Sequence, residues 1–355
     1  MITWRFSNRR QRGLCVAILA CVACDAQRSK VPQQPLAFPD AVAVGEPPST
    51  PIANVTDVSK HPEGILLLDG PNSRVLVIGF DGVVRRSIGR HGSAPGEFRG
   101  AISAKSTTQG RIAVLDPPYI TVIDSNETVM SRFNTRPTTG SVTWVCGDSL
   151  IAFVGYGDVS GRDRKPIAEM YTAQGRFMRA SRSWPLWSEG LNNSISMLSP
   201  TSSNCGLAVV EALGRKYGTL HLGDAKSEVM QDELPWSANP AQVMSKAIAS
   251  GAEPSQAGRM IWINAKLWQL NGDTALVRQD SITQDRARLF RYALITKTTF
   301  TVSKVTDIQL WEMDDTNLIY TRFDENGRVY IGRAPTRDLL IQLSSAYAQE
   351  RRSDK

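Results

Sequence analysis

Histidines, cysteines and clustered carboxylates are where chemistry would begin in this chain. The three histidines, His61, His91 and His221, are widely separated and have no carboxylate at ligand spacing. A histidine-based zinc site needs several ligands converging on one point, so these imidazoles read as surface or packing residues. The loop Asp158 to Asp163 has a passing look of a calcium loop. It lacks the regular ligand series and the closing Glu, and Arg162 and Arg164 would oppose a cation. There is no Gly-x-Ser-x-Gly elbow and no phosphate-cradling Gly-Lys-Ser/Thr loop. The sequence therefore predicts no catalytic residue, no metal ligand and no cofactor, and favours a non-enzymatic role.

The elements that would position any site are short strands. Gly64 to Phe98 holds three apolar runs, Ile65 to Leu68, Val75 to Ile78 and Val83-Val84, separated by Asp69 to Asn72 and by Phe80-Asp81-Gly82. β-formers bounded by Gly, Pro, Asn and Asp read as strands, and Asp-Gly between two of them marks a hairpin. A second unit begins at Gly100, with runs at Gly110 to Asp116, Tyr119 to Asp124 and Thr128 to Phe133. Asp69 and Asp116 close equivalent strands, and Asp81 and Asp124 sit in equivalent turns, 47 and 43 residues apart. That is the period of four-stranded propeller blades.

Fainter units follow at Val142 to Trp184 and Ile195 to Leu234, then with strands from Leu267 to Lys304 and from Leu318 to Leu343, the last including Leu339 to Leu343. Asn239 to Ala249 reads as a short inserted helix, with a cap residue and Pro at its first position. The expected fold is all-β, a six-bladed β-propeller over residues 38–345; six comes from length over period, with seven as the alternative. The sixth unit lacks an outer strand, whereas residues near 38 to 45 supply a spare one. An open sheet edge invites unwanted pairing, so the N-terminal strand is expected to close the last blade. Residues 346–355 read as a polar C-terminal tail.

The chain's start has a different character. Arg5, Arg9, Arg10 and Arg12 precede the apolar stretch Gly13 to Ala23, which is too short to span a bilayer comfortably. A basic segment, a short apolar segment and small residues before a polar break describe an export signal over 1–23. A cysteine at that break resembles a bacterial lipoprotein signal. Cys24 is preferred over Cys21 as the lipidated residue, because it leaves a longer apolar segment and the polar chain begins right after it. Secretion without lipid, with cleavage after Ala26, is the alternative. Residues 24–37 would then be a flexible tether. The net charge of +7 includes the four leader arginines; the remainder carries +3, a mixed surface that does not point to nucleic acid.

Gly92 to Phe98, followed by Gly110 to Asp116, resembles the NHL-type repeat and the grammar of bacterial six-bladed β-propeller lipoproteins. The likeness spans residues 54 to 133 and implies a fold more than a chemistry. Connections between blades and the loops after each second strand would share one face at the channel mouth. Arg90, His91, Tyr119, Tyr156, Arg162, Arg164 and Trp187 fall in those loops and form the candidate binding face, a mixture of Arg and aromatic residues favoured at binding sites. Trp184 and Trp236 read as packing residues at strand ends. Cys146 and Cys205 precede equivalent strands of adjacent units, so they are either a disulfide, as export permits, or two separately buried thiols. The expected function is an exported, lipid-anchored scaffold for an unidentified protein or small ligand. The alternative is a propeller enzyme of lyase or lactonase type, with a site at the channel mouth.

Overall fold

The computed structural model describes residues 36, 38, 41–45, 51–135, 140–155, 168–180, 196–200, 206–211, 216–221, 229–233, 246, 248–251, 263–271, 274–282, 288–296, 300–303, 306–324 and 326–353. These form a propeller-like array of six four-stranded antiparallel sheets. A short strand β1 (Val42–Ala43) comes first in the chain. The first sheet is β2 (Val55–His61), β3 (Gly64–Asp69), β4 (Arg74–Ile78) and β5 (Val84–Ile88). The second is β6 (Ser103–Ser106), β7 (Ile112–Asp116), β8 (Tyr119–Ile123) and β9 (Val129–Asn134). The third is β10 (Gly140–Val145), β11 (Leu150–Gly155), β12 (Ala168–Thr172) and β13 (Phe177–Ala180). The fourth comprises β14 (Ser196–Pro200), β15 (Gly206–Glu211), β16 (Lys216–His221) and β17 (Val229–Glu233), and the fifth β18 (Ile263–Asn271), β19 (Thr274–Ile282), β20 (Arg288–Thr296) and β21 (Phe300–Val302). The sixth sheet contains β22 (Gln309–Met313), β23 (Asn317–Phe323) and β24 (Val329–Pro335), and its fourth strand is β1. Val42 pairs with Ile331 and Ala43 with Tyr330.

The core lies between sheets. Leu66, Leu68, Val75 and Val77 of the first sheet pack with Ile112 and Val114 of the second, around a fully buried Phe98 from the connection between them. The opposite face of the first sheet, through Ile65, Leu67 and Leu76, packs on Trp311, Ile319 and Ile331 of the sixth. Strands buried on both faces read as continuous apolar runs rather than alternating ones, which is why Ile65–Leu68 and Val75–Ile78 are so plain in the sequence. Gly96 adopts φ 82° in the connection, a conformation that glycine tolerates and other residues resist.

One reading of the C-terminal region is corrected. Leu339 to Leu343 is not a strand. It belongs to a helix, α1 (Thr336–Ser353), which continues into the residues read as a polar tail. In a strand, 339, 341 and 343 would share a face. Here Leu339 and Leu343 are buried while Ile341 is 63% exposed, the helical pattern in which i and i+4 align. That face covers Leu318, Tyr320, Phe290 and Tyr292. The sixth sheet instead opens with Gln309–Met313, whose Gln and Glu hid it among loop residues. Of the expected inserted helix, Lys246, Ile248 and Ala249 are helical and the rest lies outside the described residues. Among the described residues, no helix is long and apolar enough to cross a membrane.

Candidate functional site

Two arrangements stand out, one anticipated and one not. The anticipated one is the connection of residues 89–100 with the loop between β7 and β8. Its bracing comes from two carboxylates. Glu97 accepts from the Ser93 and Ala94 amides at 3.0 and 2.9 Å and from Arg90 Nε at 2.8 Å. The Ala94 amide and then Arg90 hold its carboxyl below the usual carboxylate range. Buried Asp116 accepts from the Arg99 and Gly100 amides, the latter at 2.7 Å. In the first sheet Asp69 plays the same part, accepting from the Ala53 and Asn54 amides while pairing with Arg74 at 3.0 Å. The repeated aspartates thus tie each strand end to the chain that leads into its own sheet.

On this frame Arg90 projects with its side chain 82% exposed, and His91 Nδ1 lies 3.3 Å from Ser73 Oγ. Tyr119 follows the cis Pro117-Pro118 bond and is half-exposed. Arg132 from β9 joins the two parts. Its guanidinium stacks 4.4 Å from the Tyr119 ring centroid and donates to the Ser93 and Ala94 carbonyls at 2.8 and 3.0 Å. Arg90, His91 and Tyr119 are therefore brought onto one braced surface. Tyr156, Arg162, Arg164, Trp187, Cys24 and Cys205 lie outside the described residues, as do Trp184, Trp236 and the loop Asp158 to Asp163. Cys146 is disulfide-bonded.

The unanticipated arrangement is a charge cluster where the first strands of four sheets approach. Lys105 on β6 meets Asp57 on β2 at 2.7 Å and Glu312 on β22 at 3.6 Å. Asp57 also accepts from Ser103 Oγ at 2.9 Å and from the Val58 and Ala104 amides. Glu312 accepts from the Lys60 amide at 2.8 Å. Burial pulls the Lys105 ammonium down, but Asp57 and Glu312 outweigh it and hold the group above the ordinary lysine value. Lys266 on β18 donates through Nζ to the Trp311 carbonyl and lies 5.4 Å from the Trp268 ring centroid. Its pKa falls to about 7, first through burial and then through the like charge of Lys105.

β-Bulges aim these groups. The strand register shifts between Val55 and Asp57, between Asn264 and Lys266, and between Leu310 and Glu312. A bulge breaks strict alternation and re-aims the side chain that follows it. Three of the four charged residues in the cluster thus sit directly after an extra residue in their strands. Alternation-based reading passes over such positions, and the charges in short runs such as Val55 to His61 do not mark themselves as a cluster. Among the described residues, no three His, Cys, Asp or Glu side chains could hold a metal ion. Buried His61 is held below the usual imidazole value by burial and by Arg86, partly offset by Glu63.

No known family model matches the chain, and no curated protein matches it in sequence. Solved structures do resemble it. A member of the DUF4221 family from Bacteroides vulgatus superposes with a TM-score of 0.59 at 10% identity, covering 85% of this chain and 98% of that one. A candidate exported protein from Bacteroides fragilis superposes at 0.56, also at 10% identity, covering 84% and 94%. The likeness is one of fold. It extends over nearly the whole of both neighbours.

Proposed function

We propose that this chain is an exported, lipid-anchored six-bladed β-propeller that binds a protein or small ligand through its loop face. The observation that carries the reading is the braced surface of Arg90, Tyr119 and Arg132. It is held by Glu97 and Asp116 before any partner arrives, and preorganised Arg and Tyr side chains bind at low entropic cost. Six sheets with apolar clusters shared between neighbours, and β1 as the fourth strand of the last, support a closed ring. The leader, a cysteine at its end and the tether that follows support export and anchoring at Cys24. A candidate exported protein of the same fold adds to that support. Cys205 is the proposed partner of Cys146, and a free-thiol titration of unfolded, unreduced protein that finds both thiols would reject the pair.

Two measurements test the reading. Intact mass of protein taken from the membranes of its native host should match cleavage before Cys24 plus acyl chains. An unmodified mass would remove the anchor. Cross-linking in those membranes should capture a partner with wild type and lose it with the Arg90→Ala/Tyr119→Ala double variant, whose stability should stay within about 0.5 kcal/mol of wild type. Equal capture by both would overturn the assignment of this face.

A further inference from the structure

The scaffold reading leaves Lys266 without a role, and its surroundings are unlike those of a structural lysine. The two carboxylates nearest to it electrostatically are already engaged. Asp57 is bound by Lys105, Ser103 Oγ and two backbone amides, and Glu312 by Lys105 and the Lys60 amide. Among the described residues, no carboxylate lies within ion-pair distance of Lys266 Nζ. Its hydrogen bond goes instead to the carbonyl of Trp311, the residue that the bulge in β22 leaves out of the strand pairing. A neutral carbonyl accepts from an amine as well as from an ammonium, though more weakly, so deprotonation weakens this bond but leaves Lys266 its partner. Deprotonation also relieves repulsion from Lys105 and from Arg278, which is itself bound to Asp280 and the Leu310 carbonyl. The side chain is only half-buried, and its own β18 bulge turns it toward the other first strands.

We propose that Lys266 is a nucleophilic amine site that condenses reversibly with small aldehydes or ketones. The amine nitrogen attacks the carbonyl carbon, and the oxygen takes a proton to give a carbinolamine. Loss of that oxygen as water leaves the C=N bond of an imine. The balance is one carbonyl and one primary amine against one imine and one water, and no oxidant or reductant is needed. Lysines made reactive by burial and by a cationic neighbour are a known way to obtain a neutral amine near neutral pH. The site is separate from the Arg90 and Tyr119 surface, and it does not depend on the scaffold reading.

The size of the effect follows from the protonation state. At pH 7 an ordinary lysine is neutral in roughly one molecule in 3,000, whereas half of the Lys266 side chains are neutral when the pKa is about 7. Lower intrinsic nucleophilicity at lower pKa and partial burial remove much of that gain, leaving an expected advantage of about tenfold or more. The test uses the full chain with acetaldehyde and cyanoborohydride at pH 7, followed by peptide mass mapping. Lys266 should be ethylated about ten times faster than exposed Lys246, and the advantage should vanish in urea. Its rate should fall above about pH 8, whereas that of Lys246 stays nearly level toward pH 10, because cyanoborohydride reduces the protonated imine and only Lys246 still gains neutral amine as that form declines. Labelling of Lys266 no faster than Lys246 in the native protein, or a parallel pH dependence for the two, overturns the proposal.

Discussion

Replacing Lys266 with Met should change how stability depends on pH. In the folded chain the group titrates at about 7; unfolded, it titrates near 10.5. Between those values the unfolded chain binds one more proton than the folded one, so stability rises with pH across this window. Below it both states are protonated and the folded state carries the full penalty of a desolvated ammonium that has no carboxylate at ion-pair distance among the described residues. One proton corresponds to about 1.4 kcal/mol per pH unit. Integrated from pH 7.5 to 9.5 with these two pKa values, wild type should gain about 2.5 kcal/mol relative to Lys266→Met. At a urea m-value of about 3 kcal/mol/M this is a relative midpoint shift of about 0.8 M. Lys105 does not interfere, because its pKa lies above the ordinary lysine value, outside the window. The assay is urea unfolding followed by circular dichroism at several pH values for both proteins. Parallel curves for wild type and variant would refute the neutral-amine reasoning and weaken the case for an imine-forming lysine.

The other predictions concern the frame. Asp57→Asn leaves Lys105 charged and buried with Glu312 as its one remaining ionic partner among the described residues, and should cost about 3–5 kcal/mol by urea unfolding; a loss under about 1 kcal/mol would show that the cluster is not buried as described. Asp116→Ala strips two amide partners from Arg99 and Gly100. It should cost about 1–3 kcal/mol and speed hydrogen exchange at those amides; unchanged exchange would mean that the aspartate does not brace the connection. Phe98→Ala should cost about 3–5 kcal/mol, since its ring is fully buried between two sheets. Ile341→Lys should be nearly neutral, while Leu343→Ala should cost about 2–5 kcal/mol, because α1 exposes the first and buries the second; equal losses would restore the strand that the sequence suggests there.

How much was legible follows from what each strand buries. β3, β4, β7 and β8 are sandwiched between apolar faces, so Ile65–Leu68, Val75–Ile78, Ile112–Leu115 and Ile120–Ile123 announce themselves as runs bounded by turns. Asp81 and Asp124 recur because each accepts from amides of its own turn, and Asp69 and Asp116 because each ties its strand end to the chain entering the same sheet. Asp124, for example, accepts from the Asn126 and Thr128 amides. Local chemistry of this kind repeats with the chain, and that made the period readable. β2 and β22 were given no bounds from the sequence, because Asp57, Ser59, Gln309 and Glu312 interrupt their apolar pattern. Arg132 was missed as part of the loop surface because it lies on an outer strand of mixed polarity, where nothing marks it from a solvated arginine. Leu339 to Leu343 was misread because five residues with three leucines and an isoleucine do not separate a period of 2 from one of 3.6.

The amino-acid sequence alone determined that this is a mostly β chain of recurring strand units, because turn chemistry and apolar runs act over a few residues. Only the tertiary structure decided that β1 completes the sheet of β24 and that Asp57, Lys105, Lys266 and Glu312 meet. Those partners come from four sheets, and Asp57 and Glu312 lie more than 250 residues apart in the chain. Three of the four reach the cluster through bulges that no simple periodicity encodes. A salt bridge between distant strands leaves no local trace, since either residue alone is indistinguishable from a surface charge until the sheets pack.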